Sequence, residues 1–255
     1  TLFRSVKGAS KGEGLGNKFL ANIREVDAII HVVRAFDDEN VMREQGRESD
    51  FVDQLADIDT INLELILADL DSINKRYARV EKIARTQKDK DAVLEFKVLE
   101  KIKPVLEAGK SARTVEFEDD ELKVVKSLFL LTTKPVLYVA NVSEDAVGDP
   151  ENIAYVKQIR DFATTENADT VVISARVEEE IAELEQDEKL EFLEAIGLTE
   201  SGIDKLTQVA YHLLGLGTYF TAGEKEVRAW TFKRGIKAPG AAGIIHSDFE
   251  KGFIR

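Results

Sequence analysis

Two apolar runs of strand length, with one amphipathic helix between them, constrain this chain more than any other feature. Pro135–Val142 (PVLYVANV) and Thr170–Ser174 (TVVIS) are nearly continuous in apolar residues, the pattern of a parallel strand covered on both faces. Between them, Asn152–Thr165 places Ile153, Val156, Ile159 and Phe162 at helical spacing. A helix joining two buried strands is a βαβ unit, so the body reads as α/β with a mostly parallel sheet. Asp27–Val33 (DAIIHVV) predicts a further strand of the same kind. Beyond the βαβ unit, Glu178–Ile196 predicts an acidic helix with Ile181, Leu184, Phe192 and Ile196 on its apolar side, and Ile203–Leu214 predicts another.

A second periodicity interrupts this body. Ile66, Leu70, Ile73, Tyr77, Val80 and Ala84 repeat at the alternating spacing of a heptad seam. A shorter stripe follows at Ala92, Phe96, Leu99 and Leu106, interrupted by Lys103 and closed by Pro104, with the polar Thr86–Asp91 stretch as a turn between the two. An antiparallel helical hairpin inserted from about Ile58 to about Leu130 accounts for both; one long docked helix is the alternative. Charge follows the same division. The 255 residues carry a net charge of −13. Ser72–Arg113 is nevertheless net +6 and Gly215–Arg255 net +3, which leaves the remainder at −22. An acidic body repels polyanions, so nucleic-acid contact is confined to those two basic lobes, and solvated lysine-rich helices are the plainer reading of them. With no cysteine, disulfides and thiol catalysis are excluded, and three histidines argue against a histidine-rich metal centre on composition alone. No apolar run reaches the ~20 residues that span a bilayer, and the first residues lack the order of a signal peptide. The expectation is a cytoplasmic, membrane-free monomer.

The tail changes character. Thr218–Phe220, Val227–Phe232 and Gly243–His246 read as short strands split by glycine-containing turns, a small β-rich module. Three motifs carry possible chemistry. Lys7–Phe19 (KGASKGEGLGNKF) holds four glycines, enough for backbone N–H groups to approach a phosphate, although it lacks the ending of a Walker A loop and also fits a plain loop leading into a helix. Asn141–Glu144 (NVSE) directly follows one apolar strand and Ser174–Arg176 (SAR) ends the next. Ligands bind at the carboxyl ends of such strands, and an asparagine amide there can meet a purine edge.

The run KGASKGEGLGNKFLANIREVDAIIHVVRAF, together with NLELILADL, TKPVLYVANVSE and GLGTYFTAGEKEVRAWTFKRGIKAPGAAGIIHSDFEKGFIR, closely resembles the YchF/Obg-like ATPase family of P-loop NTPases. That resemblance implies three parts: a GTPase-like nucleotide-binding domain (residues 1–57 and 131–214), a helical coiled-coil insertion (58–130), and a C-terminal β-grasp TGS domain (215–255), here incomplete. It implies an ATPase that accepts ATP with Mg2+, admits GTP, and couples nucleotide state to contact with the ribosome or RNA. Most GTPases carry NKxD, whose aspartate pairs with guanine; here Val142 replaces the lysine and Glu144 stands in the aspartate's place, which implies a preference for ATP. Asn141, Val142 and Glu144 are therefore expected at the base, with Ser174 and Ala175 closing the other side. The family is thought to position its attacking water with a histidine, and the matching position is His31; the competing reading is a packed strand histidine.

In the family, TLF follows the Walker A ending GKS, so Thr1 matches the residue after the magnesium-binding serine and would touch the α-phosphate. The Walker A loop that should precede Thr1 and the switch segments that should stand between Thr1 and Lys7 are expected to be missing from the chain as printed, so no metal ligand is named. Lys75, Arg76, Arg79, Lys82, Arg85 and Lys88 on the arm, and Lys233, Arg234 and Lys237 in the tail, are the candidate RNA contacts. His212 and His246 read as structural, and Trp230 as core. The alternative to an ATPase is a non-enzymatic RNA- or ribosome-binding adaptor that uses only the basic arm and tail.

Overall fold

The computed structural model describes residues 15–37, 53–86 and 89–254. They fall into two compact units, Thr1–Thr199 and Glu200–Arg255.

The first unit is built on a parallel sheet in the order β1 (Ile29–Arg34), β2 (Val136–Asn141), β3 (Asp169–Ile173). β2 is central, and Val136 to Ala140 are all buried, which is why its sequence is apolar without alternation. β1 differs from its expectation: Val33 is buried, but Ile30 and Val32 are exposed among the described residues, so only one of its faces is covered there. On that covered face lies α5 (Ala154–Thr165), which presents Val156, Ile159 and Ala163 to Tyr138, Ala140 and Val33. Helix α5 ends as Asn167 turns left-handed at φ 53°, and Ala168 N–H bonds back to Ala163 O at 2.9 Å.

The predicted single acidic helix is two: α6 (Ala175–Glu183) and α7 (Gln186–Ala195). The break has a local cause. Glu185 N–H donates to the Glu188 carboxylate at 3.1 Å, an N-terminal signal that starts a new helix beyond Leu184.

The arm is an antiparallel hairpin, not a lone helix. Helix α2 (Gln54–Ala84) packs along α3 (Lys90–Glu107), and α4 (Asp119–Leu128) returns the chain toward β2. Ile66, Ile73, Val80 and Ala84 of the heptad seam are buried with Ala92, Leu99 and Leu106, while Leu70, Tyr77 and Phe96 pack at the margin. Tyr77 and Phe96 lie 5.0 Å apart between ring centroids, and Arg76 pairs with Glu95 across the hairpin. Pro104 does not end α3. It lies in the last turn, where it lacks the N–H that would bond to Glu100 O, and the helix stops three residues on at Glu107. Two carboxylates fix the arm's base. Asp69 is fully buried and accepts from Leu131 N–H, Thr132 N–H and Thr132 Oγ1 at 2.9, 2.8 and 2.7 Å, which ties α2 to the segment entering β2. Glu121 accepts from Lys101 at 2.6 Å; the lysine bond, with help from the Glu118 N–H and Lys97, holds its pKa down to about 2.

In the second unit, Ser201 caps α8 (Gly202–Leu213) by accepting from Asp204 N–H at 3.0 Å. Gly215, at φ 62°, turns the chain into a hairpin of β4 (Leu216–Ala222) and β5 (Val227–Lys233). Helix α8, placed at the end of the nucleotide-binding domain by the sequence, packs on β4 within this unit. The run predicted as a strand at Gly243–His246 is instead the end of α9 (Ala238–Ile245), followed by α10 (Ser247–Lys251). Pro239 in the first turn pre-sets helical φ, and Tyr219 Oη donates to Ala241 O at 2.7 Å, docking the helix on the hairpin. Short apolar runs do not distinguish helix from strand by periodicity.

Candidate functional site

The carboxyl ends of β2 and β3 meet at one corner. Parallel pairing sets Asn141 opposite Ile173, and the next residue, Val142, donates its N–H to Ile173 O at 2.8 Å. Both chains then leave the sheet together. On the β3 side, Ser174 starts α6, whose first residue is Ala175. Asn141 Oδ1 accepts from Ala175 N–H at 2.9 Å. The bond satisfies one of the free N–H groups of the helix start and fixes the amide plane. The Nδ2 group, with no partner among the described residues, keeps two donors for a ligand. Ser174 Oγ is buried and has no hydrogen-bond partner among the described residues. On the β2 side, Glu144 begins a short 3₁₀ turn, Glu144–Ala146. Its carboxylate pairs with Arg176 Nε at 3.3 Å, across the same gap and one residue further out than the Asn141 bond. Gly148 closes this loop against the end of α7: a Cβ there would sit 2.8 Å from Ile196 O.

The structure thus brings Asn141, Glu144, Ser174 and Ala175 to one place. Val142 is adjacent, but its side chain is buried in the core with Val147 and Val177, so only its backbone borders the corner. Arg176, which sequence reasoning passed over as a purine neighbour, is part of the same group. Its signal was available: it is the third residue of the SAR triplet. Thr1 and Lys88 lie outside the described residues, as does most of the glycine run, Lys7–Gly14.

His31 is elsewhere. It sits in the middle of β1, paired in register with Tyr138, three residues before the strand tip. Its ring lies 5.5 Å from the Tyr138 ring. Burial, reinforced by the nearby Arg113 guanidinium and opposed by Glu166, lowers its pKa from 6.5 to about 4, so the imidazole is neutral at pH 7. Beside it is a closed polar network that sequence reasoning missed. Tyr138 Oη and Arg113 Nη1 both donate to Glu166 Oε2, at 2.7 and 2.9 Å, and Ser111 Oγ donates to Oε1 at 2.7 Å. Arg113 Nε donates to Lys134 O at 3.1 Å. Burial first, then the charge and hydrogen bond of Glu166, pushes the Tyr138 phenol well above its ordinary pKa, against the opposing bond from Asn62. A cavity of about 700 Å³ borders this network at the arm's base, lined by Asn62, Ile66, Lys110, Phe162 and others. Its Ser111 and Glu166 are already bonded to one another, so it offers a ligand few free polar groups.

The arm's cations divide. Lys75 and Arg85 make exposed pairs with Asp71 and Glu81, both at 2.6 Å, and Arg76 is taken by Glu95. Arg79 and Lys82 are exposed, with no ion pair among the described residues. In the second unit Lys233, Arg234 and Lys237 are exposed, with Arg234 Nε held by Leu216 O at 2.9 Å. Trp230 is half-buried, carries Arg228 on its face at 4.2 Å, and donates to Thr221 Oγ1 at 2.9 Å. His246 Nδ1 accepts from Asp248 N–H at 3.2 Å as the cap of α10.

Comparison with known proteins identifies the family of the chain. Residues 216–255 match the YchF-GTPase C-terminal family model, described as "Protein of unknown function (DUF933)". The chain is 62% identical over 250 residues to the ribosome-binding ATPase YchF of Bacillus subtilis, a match that covers 98% of this chain and 67% of that protein. It is 52% identical to the Haemophilus influenzae protein of the same description and 49% identical to that of Escherichia coli O157:H7, with the same coverage. The solved structure of the Schizosaccharomyces pombe YchF GTPase superposes with a TM-score of 0.82 at 36% identity, over 97% of this chain and 66% of that one. The chain therefore spans about two thirds of the length of these relatives, and identity of this level over nearly all of it shows that it belongs to the YchF family.

Proposed function

We propose that the chain carries the base-binding corner of an ATPase that couples its nucleotide state to contact with the ribosome. The observation that carries this reading is the Asn141–Ala175 hydrogen bond, which joins two neighbouring strand ends and leaves an asparagine amide presented outward. Nδ2 can donate to purine N7, a position that adenine and guanine share, so this bond recognises a purine without choosing between them. The choice rests on Glu144, as the carboxylate that stands where a guanine-reading aspartate would be. The curated relatives are described as ribosome-binding ATPases and the solved structure as a GTPase. ATP is the substrate we assign, with GTP as a competitor.

Mg2+ accompanies triphosphates in this chemistry, but no group of three or more His, Asp or Glu side chains among the described residues could hold a metal. Thr1 stays assigned to the α-phosphate by resemblance only. For His31, a packed mid-strand ring favours the structural role over water activation. We retain the sequence partition as a proposal: a nucleotide-binding domain at 1–57 and 131–214, a coiled coil at 58–130 and a TGS module at 215–255. A monomer working in the cytoplasm fits this reading, and no described helix is long and apolar enough to cross a membrane.

Titration of the parent protein and of Asn141→Ala with MgATP tests the assignment. Loss of the amide should weaken binding about tenfold, the equivalent of one hydrogen bond in a shielded site. Equal affinity for the two proteins would overturn it. The adaptor reading draws on Arg79 and Lys82, which are exposed without ion pairs among the described residues. It predicts ribosome co-sedimentation that is indifferent to ATP.

A further inference from the structure

We infer that Arg176 sets the base preference of this corner by occupying Glu144. The inference rests on the purine-site reading and adds the element that decides between purines. Arg176 is the second residue of α6, directly after the residue that anchors Asn141. Its Nε lies 3.3 Å from Glu144 Oε2, so the guanidinium reaches from the helix start across to the loop that follows β2. On its other side it lies 3.8 Å from Glu180 Oε1, one turn along the same helix, which biases the side chain to stay over the first turn.

The two purines present opposite patterns to a carboxylate at this position. Guanine offers two donors, N1–H and the N2 amino group, and a carboxylate free to accept both is the partner it needs. Adenine offers an N1 lone pair, which a bare carboxylate repels. While Arg176 holds Glu144, the carboxylate is directed toward the guanidinium and its charge is partly neutralised. Guanine then loses its acceptor and adenine loses its repulsion. Without Arg176 both effects reverse together. Glutamate in place of the usual aspartate is thus only half of the specificity device, and the arginine of SAR is the other half. The pair is exposed, with side chains 75% and 51% accessible. An exposed pair is worth about 0.2–1 kcal/mol, so the switch is modest, up to about fivefold in relative affinity.

The experiment is a double-mutant cycle on the whole protein: parent, Arg176→Ala, Glu144→Ala and the double variant, each titrated with MgATP and with MgGTP by calorimetry. The readout is the ratio of GTP to ATP affinity, which cancels any general loss of positive charge near the triphosphate. Arg176→Ala is expected to raise that ratio two- to fivefold in the parent background and to leave it unchanged in the Glu144→Ala background. An unchanged ratio in the parent background, or an equal rise in both backgrounds, overturns the inference while leaving the purine site standing. Absence of ATP binding by the parent protein overturns the site reading and this inference with it. Both side chains are exposed, so thermal melts of the variants should match the parent and confirm that folding is not what is read.

Discussion

The two ends of the parallel sheet are built on opposite principles. At the amino end, below β2 and β3, the buried charges are consumed, and Thr170 Oγ1 is the one buried hydroxyl there without a partner among the described residues. Glu166 receives three donors, and Arg113, which supplies one of them, spends its Nε on Lys134 O. Both members of the Arg113–Glu166 pair are nearly inaccessible, at 7% and 9% for their side chains. At the carboxyl end the polar groups are half-used. Asn141 spends its oxygen and keeps its amino group, Glu144 and Arg176 meet in solvent, and Ser174 Oγ has no partner among the described residues. A closed network fixes structure; an open one waits for a ligand. The same strand, β2, runs from one to the other: Tyr138 belongs to the closed end and Asn141, three residues on, to the open one.

The largest expected effect lies at the closed end. Arg113→Met strands the Glu166 carboxylate in a buried site, and the loss of stability should be about 3–5 kcal/mol. Urea unfolding of the parent and the variant measures it. A loss under about 1 kcal/mol would mean that the carboxylate finds water in the variant, and the contrast between the two ends would weaken. The next effect is a pH dependence. His31 has a folded pKa of about 4 against 6.5 for the free residue, so the unfolded chain binds the extra proton between those values. Stability from this group is complete above about pH 6.5 and is lost as pH falls toward 4, by at most about 3 kcal/mol. His31→Gln should flatten that part of the stability–pH curve. The variant also separates the two roles of His31: a packed residue changes the pH curve and leaves ATP turnover in place, whereas a catalytic one abolishes turnover at pH 7.

How far the sequence revealed these two ends differs for the same physical reason. Burial on both faces leaves its mark as an apolar run, and coiled packing leaves a heptad, so β2, β3 and the seam from Ile66 to Ala84 could be read directly. The strand-end rule then pointed to Asn141 and Ser174. The closed end left no local mark. Arg113 and Glu166 are 53 positions apart, each in a polar segment where a charge looks solvated, and only the fold shows them buried together. The same limit hid the exposure of Ile30 and Val32 on β1 among the described residues, and made the Gly243–His246 stretch look like a strand. Val142 stays beside the corner through its backbone, while its apolar side chain goes to the adjoining core.

At the open end effects on folding should be small and effects on ligand binding larger. Asn141→Ala removes one bond to a helix start that water can replace, so its stability cost should stay below about 1.5 kcal/mol while ATP binding falls about tenfold. A variant that unfolds in parallel with its loss of binding would place Asn141 with the closed network instead.

Ser174→Ala gives the finest test of the contrast. A buried hydroxyl with no partner is a desolvated group with nothing gained in return, so removing it should leave stability within about 0.5 kcal/mol of the parent or raise it. If the hydroxyl is held for a ligand, the same change weakens MgATP binding by a few-fold without any fall in melting temperature. If the hydroxyl is simply a packing residue of the core beneath α6, both quantities stay put. A clear drop in stability would be the informative failure: Ser174 Oγ would then have a partner in solution, and the carboxyl end of the sheet would be less open than Asn141 and Glu144 make it.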